Sequence, residues 1–362
     1  MGRHICDLAN DDRSPHRPAL PFPTMKRLNV GLIGLGRLGR VYARDLAGRI
    51  PETRLTAVAD TAGTLAQDIA DEFDVPRAYS DPIALIDDAS IDAVVIVTPT
   101  HVHREHVLAA ADRRKPTFCE KPPALSLEEV TQMKQAIERS GVFFQMGFMR
   151  RFDPGYAAAK QQIDAGRIGT TLVFKATSRD PFRPSLEYAN PASSGGMLID
   201  MGIHDFDLAR WFMGDVRTVS AIGATIAYPE LATVGDIDNA IVSLTFESGK
   251  LGAVDLTRSG IYGYDIATEI LGLEGTIRIG YLRETPITIL TKGTGVSHDV
   301  VPYFMERFRD AYTNQLQNFA RNVLEDRPAP ITIDDGLEAL RVGVAATQAR
   351  ETGTAVSVAD VR

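Results

Sequence analysis

The chain has 362 residues, of which 44% are hydrophobic and 24% charged, so we expect a globular protein of two domains. Its formal net charge of −8 argues against nucleic acid as a partner, and no apolar run is long enough for a membrane-spanning helix. The two cysteines, Cys6 and Cys119, are too few for a disulfide framework or a four-thiolate zinc site, which fits a cytoplasmic protein.

Residues 1–25 form a separate N-terminal segment. They contain four prolines and mixed charges, and they lack both the apolar core of a secretory signal and any helical or strand periodicity. We therefore interpret them as a disordered arm. Met25 stands directly before the first patterned segment and is the candidate natural start.

Residues 26–148 alternate between strand-like and helix-like segments. The strand-like runs are short and almost continuously apolar, as in strands that are covered on both faces. They span residues 28–35, 55–60, 93–98, 117–119 and 142–147. Helical periodicity fills residues 41–46, 62–73, 103–111 and 127–139, the last with Ser126 and Gly141 as predicted caps. This alternation predicts parallel βαβ units, and hence an α/β domain with a doubly wound Rossmann sheet.

The alternation of strand-like and helix-like segments ends in residues 149–362, the predicted substrate-binding and oligomerisation domain. Strand-like runs are joined there by tight turns, in the pairs 240–246 with 251–256 and 267–271 with 276–279. Two helices follow, over 305–324 and from residue 334 or 335 to residue 350. We predict an α+β domain around a large open antiparallel sheet. Because helices would cover only one face of that sheet, we expect another subunit on the other face.

The segment from Gly34 to Gly39 has the pattern G-x-G-x-x-G between a predicted strand and a predicted helix. In this context the first glycine permits a tight turn, the second lets the backbone approach a pyrophosphate, and the third lets helix and strand pack closely. The phosphates would lie at the helix N-terminus, where backbone N–H groups are free. The predicted cofactor-binding residues of this loop are Gly34, Gly36, Arg37, Leu38 and Gly39.

Asp60 ends the second strand-like run, 21 residues beyond Gly39. A carboxylate at this place can accept both hydroxyls of the adenosine ribose, and it would repel a 2′-phosphate. No lysine or arginine occurs in the ten residues after Asp60 to bind such a phosphate. The predicted cofactor is therefore NAD rather than NADP.

Two further motifs lie at the ends of strand-like runs, at the edge where open α/β sheets bind ligands. They are Thr98-Pro99-Thr100-His101 and Glu120-Lys121-Pro122-Pro123. The ammonium group of Lys121 could hold a substrate hydroxyl there and favour its ionised form. The cofactor contacts predicted at this edge are Thr98, Pro99, His101, Glu120 and Lys121.

Three histidines, His101, His103 and His106, lie close together in the sequence, and such a group can indicate a metal site. No cysteine or suitably placed carboxylate completes a tetrahedral set, so we predict no metal. We expect these histidines at a helix start or on the surface. Cys119 is interpreted as a small core residue rather than a nucleophile.

Asp200 and His204 lie in a strongly apolar segment. If this segment is one helix, the two residues are four apart and share a face. Because burying them unpaired is costly, one interpretation is a satisfied core pair. The other is a general base, in which a histidine that titrates near neutral pH is oriented by the carboxylate and takes a hydroxyl proton.

Together, the glycine loop, Asp60, the two strand-end motifs and the pair Asp200-x-x-x-His204 resemble the Gfo/Idh/MocA oxidoreductase family over residues 26–362. Some segments are similar, within that family, to inositol 2-dehydrogenases. These segments are residues 147–153, 178–181, 203–207 and 262–265. The loop 181–185, Pro-Phe-Arg-Pro-Ser, departs from the family pattern.

This resemblance implies a catalytic trio of Lys121, Asp200 and His204, with the histidine as general base. It implies that Lys121, Asp180, Asp200, His204 and Tyr264 contact a polyol substrate. It also implies a homotetramer that assembles through the open sheets.

The resulting functional prediction is NAD-dependent oxidation of myo- or scyllo-inositol to the inosose. A competing prediction is a sugar dehydrogenase that oxidises an aldose at its first carbon on the same scaffold. A non-catalytic regulator that senses the dinucleotide and a glycosidase that uses NAD in a redox-neutral cycle are also compatible with this scaffold. Loss of Lys121 or His204 would have indicated a regulator, and neither residue is lost.

Overall fold

The computed structural model describes residues 26–293 and 295–362, so the predicted arm at 1–25 lies outside the described residues. The first half of the chain forms a parallel six-stranded sheet in the order β3-β2-β1-β4-β5-β6, as predicted for a doubly wound fold. The strands are β1 (Leu28–Ile33), β2 (Thr53–Ala59), β3 (Arg77–Tyr79), β4 (Ala93–Ile96), β5 (Thr117–Glu120) and β6 (Phe144–Gly147). The short β3 was not predicted, because it is partly exposed and has no continuous apolar run.

Five helices connect these strands and cover the sheet on both faces. They are α1 (Arg37–Gly48), α2 (Leu65–Glu72), α3 (Pro82–Asp87), α4 (His103–Asp112) and α5 (Leu127–Ser140). Both predicted caps of α5 are present, since Ser126 Oγ accepts a hydrogen bond from the Glu129 N–H at 3.2 Å and Gly141 follows the helix with a φ of 65°.

The second half contains a seven-stranded sheet in the order β12-β11-β7-β10-β9-β8-β15. Its strands are β7 (Thr171–Arg179), β8 (Val216–Ala224), β9 (Asn239–Phe246), β10 (Leu251–Thr257), β11 (Asp265–Gly272), β12 (Thr276–Ile279) and β15 (Val356–Ser357); β13 (Ile289–Thr291) and β14 (Gly295–Ser297) form a separate hairpin. The predicted hairpins β9–β10 and β11–β12 are both antiparallel. One pair, β7 with β10, is parallel, so the sheet is mixed.

Eight helices accompany this sheet, and α10 and α13 pack against one of its faces. They are α6 (Pro154–Asp164), α7 (Leu186–Ala189), α8 (Pro191–Ser194), α9 (Met197–Asp200), α10 (Ile203–Met213), α11 (Phe304–Arg307), α12 (Arg309–Leu324) and α13 (Ile333–Thr352). The helix predicted over 305–324 is divided at Phe308, which is fully buried. Among the described residues, no helix is long and apolar enough to cross a membrane.

The opposite face of the mixed sheet has no helices packed on it in the described structure. Four apolar side chains on this open face are between 40% and 72% exposed: Ile222, Ile241, Leu251 and Leu271. They come from four different strands, and Ile222 is directly opposite Ile241. The open face therefore combines these exposed apolar side chains with the ion pairs Lys175–Glu269 and Arg179–Asp255.

The C-terminal helices join the two halves of the molecule. Gln315 of α12 donates a hydrogen bond to the Glu120 carboxylate at 3.2 Å. On the free edge of β6, the Met146 N–H donates to the Ile331 carbonyl oxygen at 3.0 Å. These contacts hold the carboxyl ends of the first sheet against the second half, and the candidate site lies where they meet.

Candidate active site

The glycine loop connects β1 to α1. Gly34 has a φ of +91°, and a Cβ there would lie 2.8 Å from the backbone that follows β4. A Cβ on Gly39 would lie 2.1 Å from the Gly34 carbonyl oxygen. Gly36, in contrast, has open space around its Cβ position and gives α1 no side-chain cap. With the N–H groups of Arg37 and Leu38 left without partners inside the helix, this loop fits a pyrophosphate.

Asp60 follows β2 and lies beside the glycine loop. Its Oδ2 accepts a hydrogen bond from the Leu35 N–H at 2.7 Å, and its Oδ1 accepts one from the Ala62 N–H at 2.8 Å. Each oxygen keeps a further lone pair. The carboxylate is therefore fixed in direction and still able to accept the two hydroxyls of a ribose.

The motif 98–101 follows β4 at the carboxyl edge of the sheet, as predicted. Just after it, His103 is 1% exposed, and its Nδ1 and Nε2 lie 2.8 Å and 2.9 Å from the carbonyl oxygens of Pro122 and Thr98. Burial lowers the pKa of His103 to about 4. Both histidines lie in the first turn of α4, the helix-start placement that was one of the two expectations, and neither is on the surface, because His106 is also buried. His103 instead connects the two strand-end motifs.

A metal site would need several ligands with suitable geometry. Among residues 26–293 and 295–362, no group of three or more histidine, cysteine, aspartate or glutamate side chains has such an arrangement. Cys119 is fully buried, and burial raises the pKa of its thiol well above the ordinary value. Such a thiol is a poor nucleophile, in agreement with the predicted core role.

Glu120 ends β5 and is 4% exposed. Its carboxylate accepts hydrogen bonds from the Tyr42 hydroxyl, from Gln315 Nε2 at 3.2 Å and from the Lys121 N–H at 3.1 Å. Burial raises the pKa of this carboxyl group. Its side chain thus binds α1 and α12, and a contact between Glu120 and the cofactor stays a prediction.

Lys121 and Asp200 form an ion pair although 79 residues separate them. Lys121 Nζ lies 2.9 Å from the Asp200 carbonyl oxygen and 3.2 Å from its Oδ1, and both side chains are largely buried. Burial alone would raise the pKa of Asp200, but Lys121, followed by Arg258, holds it below the ordinary value. Two members of the predicted trio therefore meet as a charged pair.

Asp200 and His204 do not share one helix, so the condition for a common helix face is not met. Helix α9 ends at Asp200, and α10 begins after a short turn. That turn is tight, because a Cβ on Gly202 would lie 2.4 Å from a carbonyl oxygen of α9. The Asp200 carboxylate accepts its hydrogen bonds from the Tyr188 hydroxyl, at 2.9 Å, and from Lys121.

His204 is largely buried, and its Nδ1 has no hydrogen-bond partner among the described residues. Burial lowers the pKa of His204 well below its ordinary value, and the cations Lys121 and Arg150 lower it further. The imidazole is therefore neutral at physiological pH. The interpretation of His204 as a histidine that titrates near neutral pH and is oriented by a carboxylate is wrong in both respects.

Asp180 and Tyr264, the predicted substrate contacts, lie near the ion pair. Burial raises the pKa of Asp180 to about 6, and the charge of Asp200 adds to this effect. Burial, with a contribution from Asp180, also raises the pKa of Tyr264, which therefore keeps its hydroxyl proton. The Tyr303 ring lies 5.7 Å from the Tyr264 ring and 4.7 Å from the ring of Phe182, measured between centroids. Phe182 belongs to the loop that departs from the family pattern.

Comparison with known proteins identifies the family. Residues 28–148 match the model of the oxidoreductase family with an NAD-binding Rossmann fold, and residues 160–358 match the C-terminal alpha/beta domain of the same family. The chain belongs to the Gfo/Idh/MocA family of oxidoreductases. It is an oxidoreductase with NAD as its cofactor, as the glycine loop and Asp60 predicted.

Members of the Gfo/Idh/MocA family with named activities are similar to this chain over nearly their whole length. A scyllo-inositol 2-dehydrogenase (NAD(+)) of Bacillus subtilis is 40% identical, covering 92% of this chain and 96% of the relative. A myo-inositol 2-dehydrogenase of Thermotoga maritima is 37% identical, with coverages of 92% and 99%. The fold is similar to the crystal structure of scyllo-inositol dehydrogenase from Lactobacillus casei with bound NAD(H) and scyllo-inositol, with a TM-score of 0.88. The two sequences are 32% identical, and the match covers 92% of this chain and 100% of that chain.

Two arginines of this Gfo/Idh/MocA protein were missed as site residues. Arg258, 1% exposed, donates to Asp236 Oδ2 at 2.6 Å, and its Nη2 lies 3.6 Å from Asp200 Oδ2. Arg150, 2% exposed, donates to Asp205 Oδ1 at 2.6 Å. Arg258 directly follows the apolar run of β10, and a cation in that position is the sequence signal that could have identified it.

Proposed function

We propose that this protein is an inositol 2-dehydrogenase, which oxidises one CH–OH group of myo- or scyllo-inositol to the ketone of an inosose. The observation that carries the proposal is the Lys121–Asp200 ion pair, beside His204 and at the edge of a sheet whose glycine loop fits a dinucleotide. The activities of the Bacillus, Thermotoga and Lactobacillus relatives support the substrate class. A cyclic polyol needs several hydrogen-bond donors and acceptors, and this cleft offers both.

Bound NAD supplies the hydride acceptor of the reaction. The reacting substrate carbon loses its hydrogen as hydride, and its hydroxyl group loses a proton, which His204 accepts at Nε2. Lys121 donates to the same oxygen and stabilises the negative charge that develops on it. Asp200 holds Lys121 in place through its carbonyl oxygen and Oδ1. Because burial, and then Lys121 and Arg150, disfavour a charged imidazole, His204 does not keep this proton but passes it on to solvent.

The remaining hydroxyl groups of the substrate are proposed to bind Asp180 and Tyr264. Above about pH 6 the Asp180 carboxylate is ionised and can accept two hydrogen bonds. Tyr264 is a hydroxyl donor, because burial raises its pKa above the ordinary value. Since inositols differ only in the orientation of their hydroxyl groups, these two contacts are the proposed basis for choosing between epimers.

For the cofactor, the proposed contacts follow the edge of the first sheet. Gly34, Gly36, Arg37, Leu38 and Gly39 would hold the pyrophosphate. Asp60, whose direction is fixed by its two backbone donors, would accept the ribose hydroxyls. The remaining contacts would come from Thr98, Pro99, His101, Glu120 and Lys121.

We further propose that the protein is a cytoplasmic homotetramer, assembled through the second domain at residues 149–362. The apolar open face of the mixed sheet supports this proposal, because surfaces of this kind are usually covered by a partner. An isologous contact would bring Ile222 and Ile241 of one subunit against the same patch of another.

The proposed function is tested by following NADH formation over a panel of inositols and aldoses. We expect turnover with myo- or scyllo-inositol and much less with free aldoses. Turnover of an aldose in preference to every inositol would instead support the sugar dehydrogenase. No net NADH from any free polyol would contradict the proposal.

A further inference from the structure

Asp200 Oδ1 accepts two hydrogen bonds, and only one of them comes from the proposed catalytic trio. Lys121 Nζ lies 3.2 Å from this oxygen, and the Tyr188 hydroxyl lies 2.9 Å from it. Tyr188 belongs to the one-turn helix α7, which lies between β7 and α9. The side chain is 47% exposed, yet its hydroxyl reaches the buried carboxylate.

Several polar and charged groups influence Asp200. Burial opposes its charge, while Lys121 first, then Arg258, and then the hydrogen bond from Tyr188 favour it. Asp180 repels it, and Tyr303 lies within electrostatic reach. Of the three groups that favour the charge of Asp200, Tyr188 is therefore the neutral one, whereas Lys121 and Arg258 are cations.

The proton of Tyr188 is fixed by the same contact. The charge of Asp200 is the largest influence on Tyr188, and together with burial it raises the pKa of the hydroxyl well above the ordinary value. The hydroxyl group consequently stays protonated and donates to Oδ1. It shares that oxygen with Lys121 and weakens the hold of the carboxylate on the ammonium group.

We propose that Tyr188 is a positioning residue, which acts on Lys121 through the shared Asp200 oxygen and leaves the ammonium free enough to bind the substrate oxygen. This inference rests on the proposed function, in which Lys121 holds the reacting oxygen. Without the hydroxyl, Oδ1 has Lys121 as its one remaining close donor among the described residues. The ion pair then tightens, and Lys121 is less available to the substrate.

The test is the substitution Tyr188→Phe, which removes one oxygen from a half-exposed side chain. Tyr262→Phe is the matched control, because Tyr262 is 44% exposed and its hydroxyl donates to the Asp265 carboxylate at 2.8 Å and accepts from Arg179 at 3.0 Å rather than contacting Lys121 or Asp200. With inositol as substrate, Tyr188→Phe is expected to lower kcat about tenfold with little change in KM, the scale of a lost hydrogen bond to a charged group. Tyr262→Phe is expected to leave both unchanged.

A second measurement needs no substrate. Lys121 is labelled with an amine-directed reagent at fixed pH, and its rate of modification is followed by mass spectrometry of the peptides. Lys121 in Tyr188→Phe is expected to react several-fold more slowly than in the wild type, because a tighter ion pair shields the amine. In Tyr262→Phe the rate is expected to equal that of the wild type.

The two measurements separate failure of this inference from failure of the proposed function. Wild-type protein that oxidises no inositol contradicts the function, while the labelling rate still tests Tyr188. If the wild type oxidises inositol but Tyr188→Phe has the same kcat or the same labelling rate as Tyr262→Phe, the positioning role is overturned and the proposed function stands. Faster labelling of Lys121 in Tyr188→Phe overturns it as well.

Discussion

Lys121 Nζ contacts Asp200 at two points, the carbonyl oxygen at 2.9 Å and Oδ1 at 3.2 Å. An ammonium group has three donors, so one N–H remains for a ligand. Because two contacts define the direction of the remaining donor, the positive charge is presented in a fixed orientation. A surface lysine, by comparison, moves among many rotamers.

Removing the lysine or the histidine should impair chemistry. For Lys121→Ala and His204→Ala we expect kcat to fall by roughly 10²- to 10⁴-fold, with the lysine variant affected at least as much. The Kd for NADH of His204→Ala, measured by fluorescence titration, should stay close to that of the wild type, because His204 is not among the proposed dinucleotide contacts. Lys292→Ala, at an exposed lysine outside the seven-stranded sheet, is the control. Near-normal turnover of His204→Ala would move the general base to Lys121.

The pH dependence of activity should follow Asp180 rather than His204. The pKa of Asp180 is raised to about 6, so the carboxyl group is protonated below that pH and ionised above it. The ionised form accepts substrate hydroxyls, and kcat/KM should therefore rise with pH through about 6. Asp180→Asn should lower kcat/KM and flatten this rise, whereas Asp215→Asn, on the surface, should change neither. A rise that survives in Asp180→Asn would assign the titration to another group.

Gly36→Ala should weaken the binding of NADH without lowering the stability of the fold. A Cβ on Gly36 meets no atom within 4 Å, so Tm should not fall. The same Cβ would occupy the space proposed for the pyrophosphate, and the Kd for NADH should rise at least about tenfold. Gly48→Ala, at the other end of α1 and equally open, is the control for adding a methyl group to this helix. Unchanged NADH affinity in Gly36→Ala would contradict the proposed position of the cofactor.

Cofactor choice should reside in Asp60. Replacing it by serine, together with Thr61→Arg, removes a carboxylate that would repel a 2′-phosphate and adds a cation that can bind one. We expect the ratio of kcat/KM for NAD to kcat/KM for NADP to fall by about 10² or more. The substitutions lower kcat/KM for NAD and raise kcat/KM for NADP. The measurement is initial-rate kinetics with both cofactors. A wild type that already prefers NADP would refute the role of Asp60.

Charging the open face of the mixed sheet should dissociate the oligomer. Ile222→Glu places a carboxylate on the apolar patch opposite Ile241, where burial against another subunit would leave it unpaired. Light scattering should give a tetramer mass for the wild type and a smaller mass for the variant. Ile261→Glu, at a residue 84% exposed outside the strands, is the control. A wild type that is monomeric at micromolar concentration would exclude the proposal.

Local sequence patterns predicted most of the fold. Alternating strand and helix periods were sufficient for the Rossmann sheet, and tight turns were sufficient for the hairpins β9–β10 and β11–β12. The parallel pairing of β7 with β10 was missed because the two strands are distant in sequence and neither has a local pattern that indicates its partner. The division between domains at residues 148 and 149 stays a prediction.

The site was predictable where a rule of topology applies. Parallel strands end at one edge of their sheet, so the glycine loop and the motif around Lys121 could be expected to lie close together. Tyr188 and Arg258 could not be identified in this way, since their importance comes from a carboxylate on a different element. The pKa of His204 was misjudged because burial lowers it, and the cations Lys121 and Arg150, which lower it further, belong to other segments.

The contacts of the C-terminal helices make the two halves depend on each other for stability. If the chain ended at residue 148, the carboxylate of Glu120 would lose its Gln315 donor, and the edge of β6 would lose its contact with Ile331. A buried acceptor without a donor and a bare strand edge favour unfolding and aggregation. The gene therefore cannot be divided into two independently stable modules at that point, and the two halves should unfold in a single cooperative transition.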